Sequence, residues 1–154
     1  MFEIRKDDLF GEATLRLLAL HLAGMHANSP PDSVHALDLS GLRAPGTTVW
    51  SVWDGTEVVG IGALKALSDG RAEVKSMRTH PDHLRRGVAA LLLNHIAAEA
   101  KARGFSRLSL ETGSGPAFEP ALALYRKHGY LNGEAFHDYQ PSAFNQFLHL
   151  ELST

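Results

Sequence analysis

Arg85-Arg86-Gly87 stands where a strand-like run gives way to a helical one, and residues of these types at such a junction suit an anion. The start of a helix leaves four backbone N–H groups without internal partners, and the positive end of the helix dipole lies there too. Gly87 removes the side chain that would keep a phosphate off the backbone, and Val88-Ala89 begin the helix with little bulk. Arg85 and Arg86 bring permanent charges that oppose the dipole by ~0.3–1 kcal/mol each, a cost an anion would relieve. The same residues also suit a solvated loop, and neither G-x-x-x-x-G-K-[ST] nor G-x-G-x-x-G is present. The position, with another strand and helix following, favours the anion.

Other side chains offer narrower chemistry. Glu73 and Glu111 fall within strand-like runs, where a carboxylate is either a general base or a hydrogen-bonded strand residue. Burial that raises one carboxylate's pKa would mark it as the base. His26, His35, His80 and His83 match no metal-ligand spacing, and with no cysteine in the chain no metal is expected. Ser114 lies in Gly113-Ser114-Gly115, which is not the G-x-S-x-G of a nucleophile elbow.

The elements that must position these groups follow from periodicity and punctuation. Phe2 and Ile4 alternate with polar residues as a short strand, and Leu9 to Ala27 reads as a helix with Leu15, Leu18, Leu22 and Met25 as its apolar stripe. Pro30-Pro31 ends it, Ser33 suits the cap of a short helix towards Leu39, and Gly41 to Gly46 reads as loop. Val49–Trp53 and Glu57–Leu67 form a hairpin about Asp54-Gly55, with Gly60 and Gly62 marking a bulge or close approach. Trp50 and Trp53, three apart, are expected on opposite faces. Arg71–Thr79 completes an antiparallel meander. A helix from Val88 to Arg103 ends at Gly104, a strand spans Arg107–Thr112, and a helix spans Pro116 to His128. A strand near Tyr130 and one from Asn145 to Leu152 follow. One mixed α/β domain over residues 1–154 is expected.

Composition narrows the partners. With 44% hydrophobic and 21% charged residues in 154, the chain is expected to bury an ordinary globular core. A formal charge of −2 argues against a nucleic-acid binder working by charge alone. No run approaches a membrane span, the acidic N-terminal stretch lacks the pattern of a signal peptide, and cysteine is absent; a cytoplasmic protein without membrane partners is expected.

Two motifs together carry a family likeness. Met77 through Ala89 resembles the acetyl-CoA-binding motif of the GNAT superfamily, a strand followed by [RQ]-x-x-G-x-[GA] at a helix start, with Leu84 at the first motif position. Leu124-Tyr125-Arg126-Lys127-His128-Gly129-Tyr130 resembles its L-Y-x-k-x-G-[FY] signature, and Phe118 stands where many relatives carry asparagine. The order of elements from Phe2 to Leu152 matches that of the family, and the chain looks close to a bacterial YsnE-like subgroup of N-acetyltransferases. The resemblance implies the acyl-CoA N-acyltransferase fold, a mostly antiparallel central sheet with helices on both faces. It implies that Met77 and Thr79 offer backbone groups to the pantetheine arm of acetyl-CoA, with Arg78 between them in the cofactor-binding set, and that Arg85, Arg86, Gly87, Val88, Ala89 and Ala90 surround the pyrophosphate. Relatives often dimerise through their last strands, so the likeness leaves room for a homodimer.

Acyl transfer from a thioester to an amine requires a deprotonated amine, a stabilised oxyanion and a protonated leaving thiolate. A lysine-like amine of pKa ~10.4 needs about 4.6 kcal/mol to be neutral at pH 7, so a base is worth several orders of magnitude in rate. Read with the resemblance, Tyr125 is the candidate general acid. Glu73, eleven residues before Leu84 as in the histone-modifying branch, is the first candidate base, with Glu111 as its rival. His26 and His35 fall in the helix-loop-helix segment that borders the family's acceptor site. The expected acceptor is a small-molecule or peptide amine. The competing readings are a binding module that holds acyl-CoA without turnover and a serine hydrolase using Ser114.

Overall fold

In a computed structural model, which describes residues 2–30 and 39–152, seven strands form one sheet in the order β1-β2-β3-β4-β5-β7-β6. The elements run β1 (Phe2–Lys6), α1 (Glu12–Asn28), α2 (Leu39–Leu42), β2 (Thr47–Asp54), β3 (Glu57–Ala66), β4 (Arg71–Thr79), α3 (Val88–Ala102), β5 (Arg107–Thr112), α4 (Glu119–Lys127), β6 (Leu131–Asn132) and β7 (Gln146–Glu151). Every neighbouring pair is antiparallel except β4 and β5, which α3 connects. This is the acyl-CoA N-acyltransferase fold.

The sheet is covered on both faces because its strands alternate two apolar sets. Leu64, Ala72, Val74, Leu108 and Leu110 pack with Leu92, Ile96 and Leu122 beneath α3 and α4. Ile61, Ala63 and Val49 turn the other way, against Leu17 and Leu18 of α1. Trp50 joins the first set and Trp53 borders the second, the opposite facing that their spacing requires. Close approach explains Gly60: a Cβ there would come 2.5 Å from Val88 Cγ1, so only glycine lets the start of α3 lie on the sheet.

The site arises where β4 and β5 part. Their ladder holds three pairs, Arg71–Arg107, Ala72–Leu108 and Glu73–Ser109, and stops. Between Lys75 and Arg78, β4 spends three steps against two on β3, a bulge with Ser76 at φ 58°. A bulge bends its strand and increases the local twist. The end of β4 stays with β3 through Thr79 while β5 continues with β7, leaving the inner edge of β4 beyond Glu73 without a ladder partner among the described residues.

Several local expectations are corrected. Helix α1 begins at Glu12, after Leu9 at φ 65°, and its buried face is Thr14, Leu17, Leu18 and His21, with Leu22 only half-buried. α2 takes in Gly41, expected in a loop, while Ser33 lies outside the described residues. Pro116–Phe118 form a 3₁₀ turn ahead of α4, since the ring of Pro120 fits the first turn of a helix and not its interior.

Candidate active site

A cleft of about 450 Å³ passes between the diverging ends of β4 and β5, with walls from α1, β4, β5 and α4. Ala89, Leu124 and Tyr125 line it at the α3 and α4 side, Glu73 and Glu111 in the middle, and His21, Gly24 and Asn28 at the α1 side. Among the residues singled out from sequence, Met77, Arg78, Thr79, Ala89, Tyr125, Glu73 and Glu111 therefore meet around one space.

At one end lies the start of α3. Gly87 caps it at φ 83°, a left-handed conformation that suits glycine, and a Cβ there would meet nothing within 4 Å. Leu91 N–H bonds to the Gly87 carbonyl, so the amides of Val88, Ala89 and Ala90 precede the helical ladder, and no side chain of Gly87 caps them. Arg85 sits beside them, exposed, at φ 63°. The guanidinium of Arg86 lies elsewhere than at the expected rim: it donates to Asp54 at 3.1 Å and lies 4.8 Å over the Phe2 ring. The carboxylate beside the β2–β3 turn holds it.

The middle of the cleft carries the titratable groups. Glu73 is 1% exposed, and its Oε2 accepts from the Tyr139 hydroxyl at 2.6 Å and from Lys75 Nζ at 3.2 Å. Its Oε1 is buried without a hydrogen-bond partner among the described residues. Burial pushes the Glu111 carboxyl up from 4.5 to about 7; a hydrogen bond from Asn145 and the charge of Lys75 oppose this, and the charge of Glu73 adds to it. Tyr125, 9% exposed, is pushed up to about 12 by burial, against the pull of Arg78, and stays a protonated phenol at neutral pH.

At the α1 side the cleft is lined by His21, Gly24, Met25 and Asn28, spaced i, i+3, i+4, i+7 on one helix face. His26 does not face it: one position past Met25 turns the side chain about 100° away, and it is exposed. His35 lies outside the described residues. Ser114 Oγ accepts from Gln146 Nε2 at 3.0 Å, and no histidine bonds it among the described residues, so the hydrolase arrangement is missing there. Among those residues no group of three His, Asp or Glu side chains could hold a metal, and no helix is long and apolar enough to cross a membrane.

Sequence reasoning missed Lys75, His21 and Tyr139. Lys75 was within reach, because two residues beyond Glu73 on a strand puts it on the same face. His21 hid in the apolar stripe of α1. Tyr139 gave no local signal: it lies in an irregular segment pinned by Phe136, whose ring is 5.9 Å from that of Phe147.

The comparisons with known proteins agree with this geometry. The chain is 51% identical to the uncharacterized N-acetyltransferase YedL of Escherichia coli (strain K12) over 152 residues, 99% of this chain and 96% of that one. It is 48% identical to the uncharacterized N-acetyltransferase YsnE of Bacillus subtilis (strain 168), covering 97% and 99%. A solved structure of a proposed acyl-CoA N-acyltransferase from Klebsiella pneumoniae superposes with a TM-score of 0.84 at 28% identity, covering 99% of both chains. Residues 14–130, which hold the parting strands, the start of α3 and Tyr125, match the Acetyltransferase (GNAT) family, and the chain belongs to that family.

Proposed function

We propose that the protein transfers an acetyl group from acetyl-CoA to a primary amine by direct attack, with both substrates in the one cleft. The observation that carries this is the unpaired inner edge of β4 leading to the uncapped amides of Val88, Ala89 and Ala90. An extended arm can add to that edge as a strand would, and a diphosphate suits the amides. Gly87 leaves the approach clear. Bound there, acetyl-CoA would supply a thioester carbonyl at which an amine nitrogen displaces the thiolate.

The chain's own groups handle the protons. Glu111, with a pKa of about 7, takes a proton from the incoming ammonium and passes it to solvent. Tyr125 gives its phenolic proton to the departing sulfur, and the second nitrogen proton restores the phenol. The C–N bond forms as the C–S bond breaks; the products are an amide, a free thiol and one released proton. Glu73, held by Tyr139 and Lys75, serves to anchor the cleft floor, and the role of base passes to Glu111 in this reading.

The test is turnover of acetyl-CoA with an amine library, read as free thiol. Amine-dependent release is expected. Saturable binding of coenzyme A by calorimetry, with no amine accepted, would instead leave a binding module.

A further inference from the structure

Arg78 carries a charge that no carboxylate among the described residues pairs with. Its Nε donates to His21 Nδ1 at 3.1 Å and its Nη2 to the His21 carbonyl at 3.3 Å. A guanidinium has five N–H donors, and two are used, so three meet no acceptor among the described residues. Both partners are neutral: burial, with the charges of Arg78 and Lys75, lowers the His21 pKa to about 4, leaving the ring an uncharged acceptor. Burial also lowers the pKa of Arg78, and no carboxylate pairs with it among the described residues. A half-buried cation with only neutral partners is costly to keep.

The place has been cleared for it. A Cβ at position 24 would come 2.8 Å from Arg78 Nη2, so Gly24 gives the guanidinium its room against α1. His21, Gly24 and Arg78 all line the cleft, at the α1 side, while Ala89 and Tyr125 line it at the α3 and α4 side. Lys75, the other cation in the cleft, is already engaged by Glu73 and Tyr139.

Resting on the transferase reading, we infer that the acceptor is an amine that also bears a carboxylate, a free amino acid or a related aminocarboxylate, whose carboxylate pairs with the Arg78 guanidinium. The planar fork of arginine matches a carboxylate with two parallel hydrogen bonds, and the anion supplies the charge that the described partners of Arg78 lack. The amino group then turns towards Glu111 in the middle of the cleft. The guanidinium thus selects the acceptor, while the backbone of the same residue borders the cofactor's edge.

The experiment offers wild-type protein and acetyl-CoA the protein amino acids, each beside its carboxamide and its decarboxylated amine, with thiol release as readout. At least one acid is expected to exceed its two counterparts without a carboxylate by about 100-fold in kcat/KM. Arg78→Gln should erase that preference through the acceptor KM, leaving coenzyme A affinity by calorimetry unchanged. Should Arg78→Gln fail to fold, Arg78→Lys carries the test, since it keeps the charge without the fork and should retain a reduced preference. Equal rates for acids, amides and amines would overturn the inference, as would a library in which only amines without a carboxylate react. Loss of coenzyme A affinity with an unchanged acceptor preference in either variant would assign Arg78 to the cofactor instead. Absence of coenzyme A binding by the wild type is a different failure and would remove the transferase reading beneath it.

Discussion

The Tyr139 hydroxyl donates to Glu73 Oε2 at 2.6 Å across 66 residues of sequence, tying the irregular segment before β7 to the strand that forms the cleft floor. Lys75 Nζ joins both, 2.7 Å from the tyrosine oxygen and 3.2 Å from the carboxylate. Tyr139→Phe removes the donor and leaves the buried carboxylate with less compensation. A loss of about 1.5–3 kcal/mol, the usual range for a hydrogen bond to a charged group, is expected in urea unfolding. An unchanged midpoint would show that the contact adds nothing.

Glu111 makes a pH prediction with a definite sign. Its carboxyl must ionise to act as base, so kcat/KM should rise with pH and level off above an apparent pKa of about 7. Glu111→Gln should remove that limb and lower turnover by about 10²–10⁴-fold. A variant that keeps both the rate and the limb would return the role to Glu73 or to water.

The same group and His21 act on stability in opposite directions. The folded pKa of Glu111 lies above 4.5, so the folded state holds the extra proton, and stability declines as pH rises from 4.5 to about 7. The folded pKa of His21, about 4 against 6.5, makes the unfolded state hold the extra proton, so its contribution is lost as pH falls from 6.5 towards 4. Glu111→Gln should therefore steepen the loss of melting temperature on acidification, and His21→Gln should lessen it. Parallel melting profiles for the three proteins between pH 4.5 and 7 would contradict both assignments.

Tyr125→Phe keeps the ring that packs 5.9 Å from that of Tyr130 and deletes only the hydroxyl of the proposed acid. Turnover should fall by about 10²-fold or more while coenzyme A affinity and melting temperature hold. An equal fall in cofactor affinity would make the hydroxyl a binding group.

Gly60→Ala tests whether the proposed cofactor end depends on the seating of α3. The new methyl would meet Val88 Cγ1 at 2.5 Å, and such overpacking costs about 1–3 kcal/mol. Since Val88 opens α3, the shift should also weaken coenzyme A binding in calorimetry. Normal stability and normal affinity together would show that the helix start yields freely.

The amino-acid sequence by itself determined the order of elements, because alternation, helical spacing and the glycines at 87, 104 and 129 are local properties of the chain. It also marked the start of α3 and the end of α4, since Arg85 to Ala90 and Leu124 to Tyr130 are contiguous motifs. What it could not decide is which charges face one another across the cleft. Glu73 and Glu111 look alike as strand carboxylates, yet Tyr139 and Lys75 clasp the first while burial lifts the second to about 7. Nor does α1 announce that His21 and Gly24, rather than His26, turn towards Arg78. Hydrogen bonding and desolvation depend on neighbours brought from distant parts of the chain, and only the bulge in β4 and the parting of β4 from β5 bring those neighbours together.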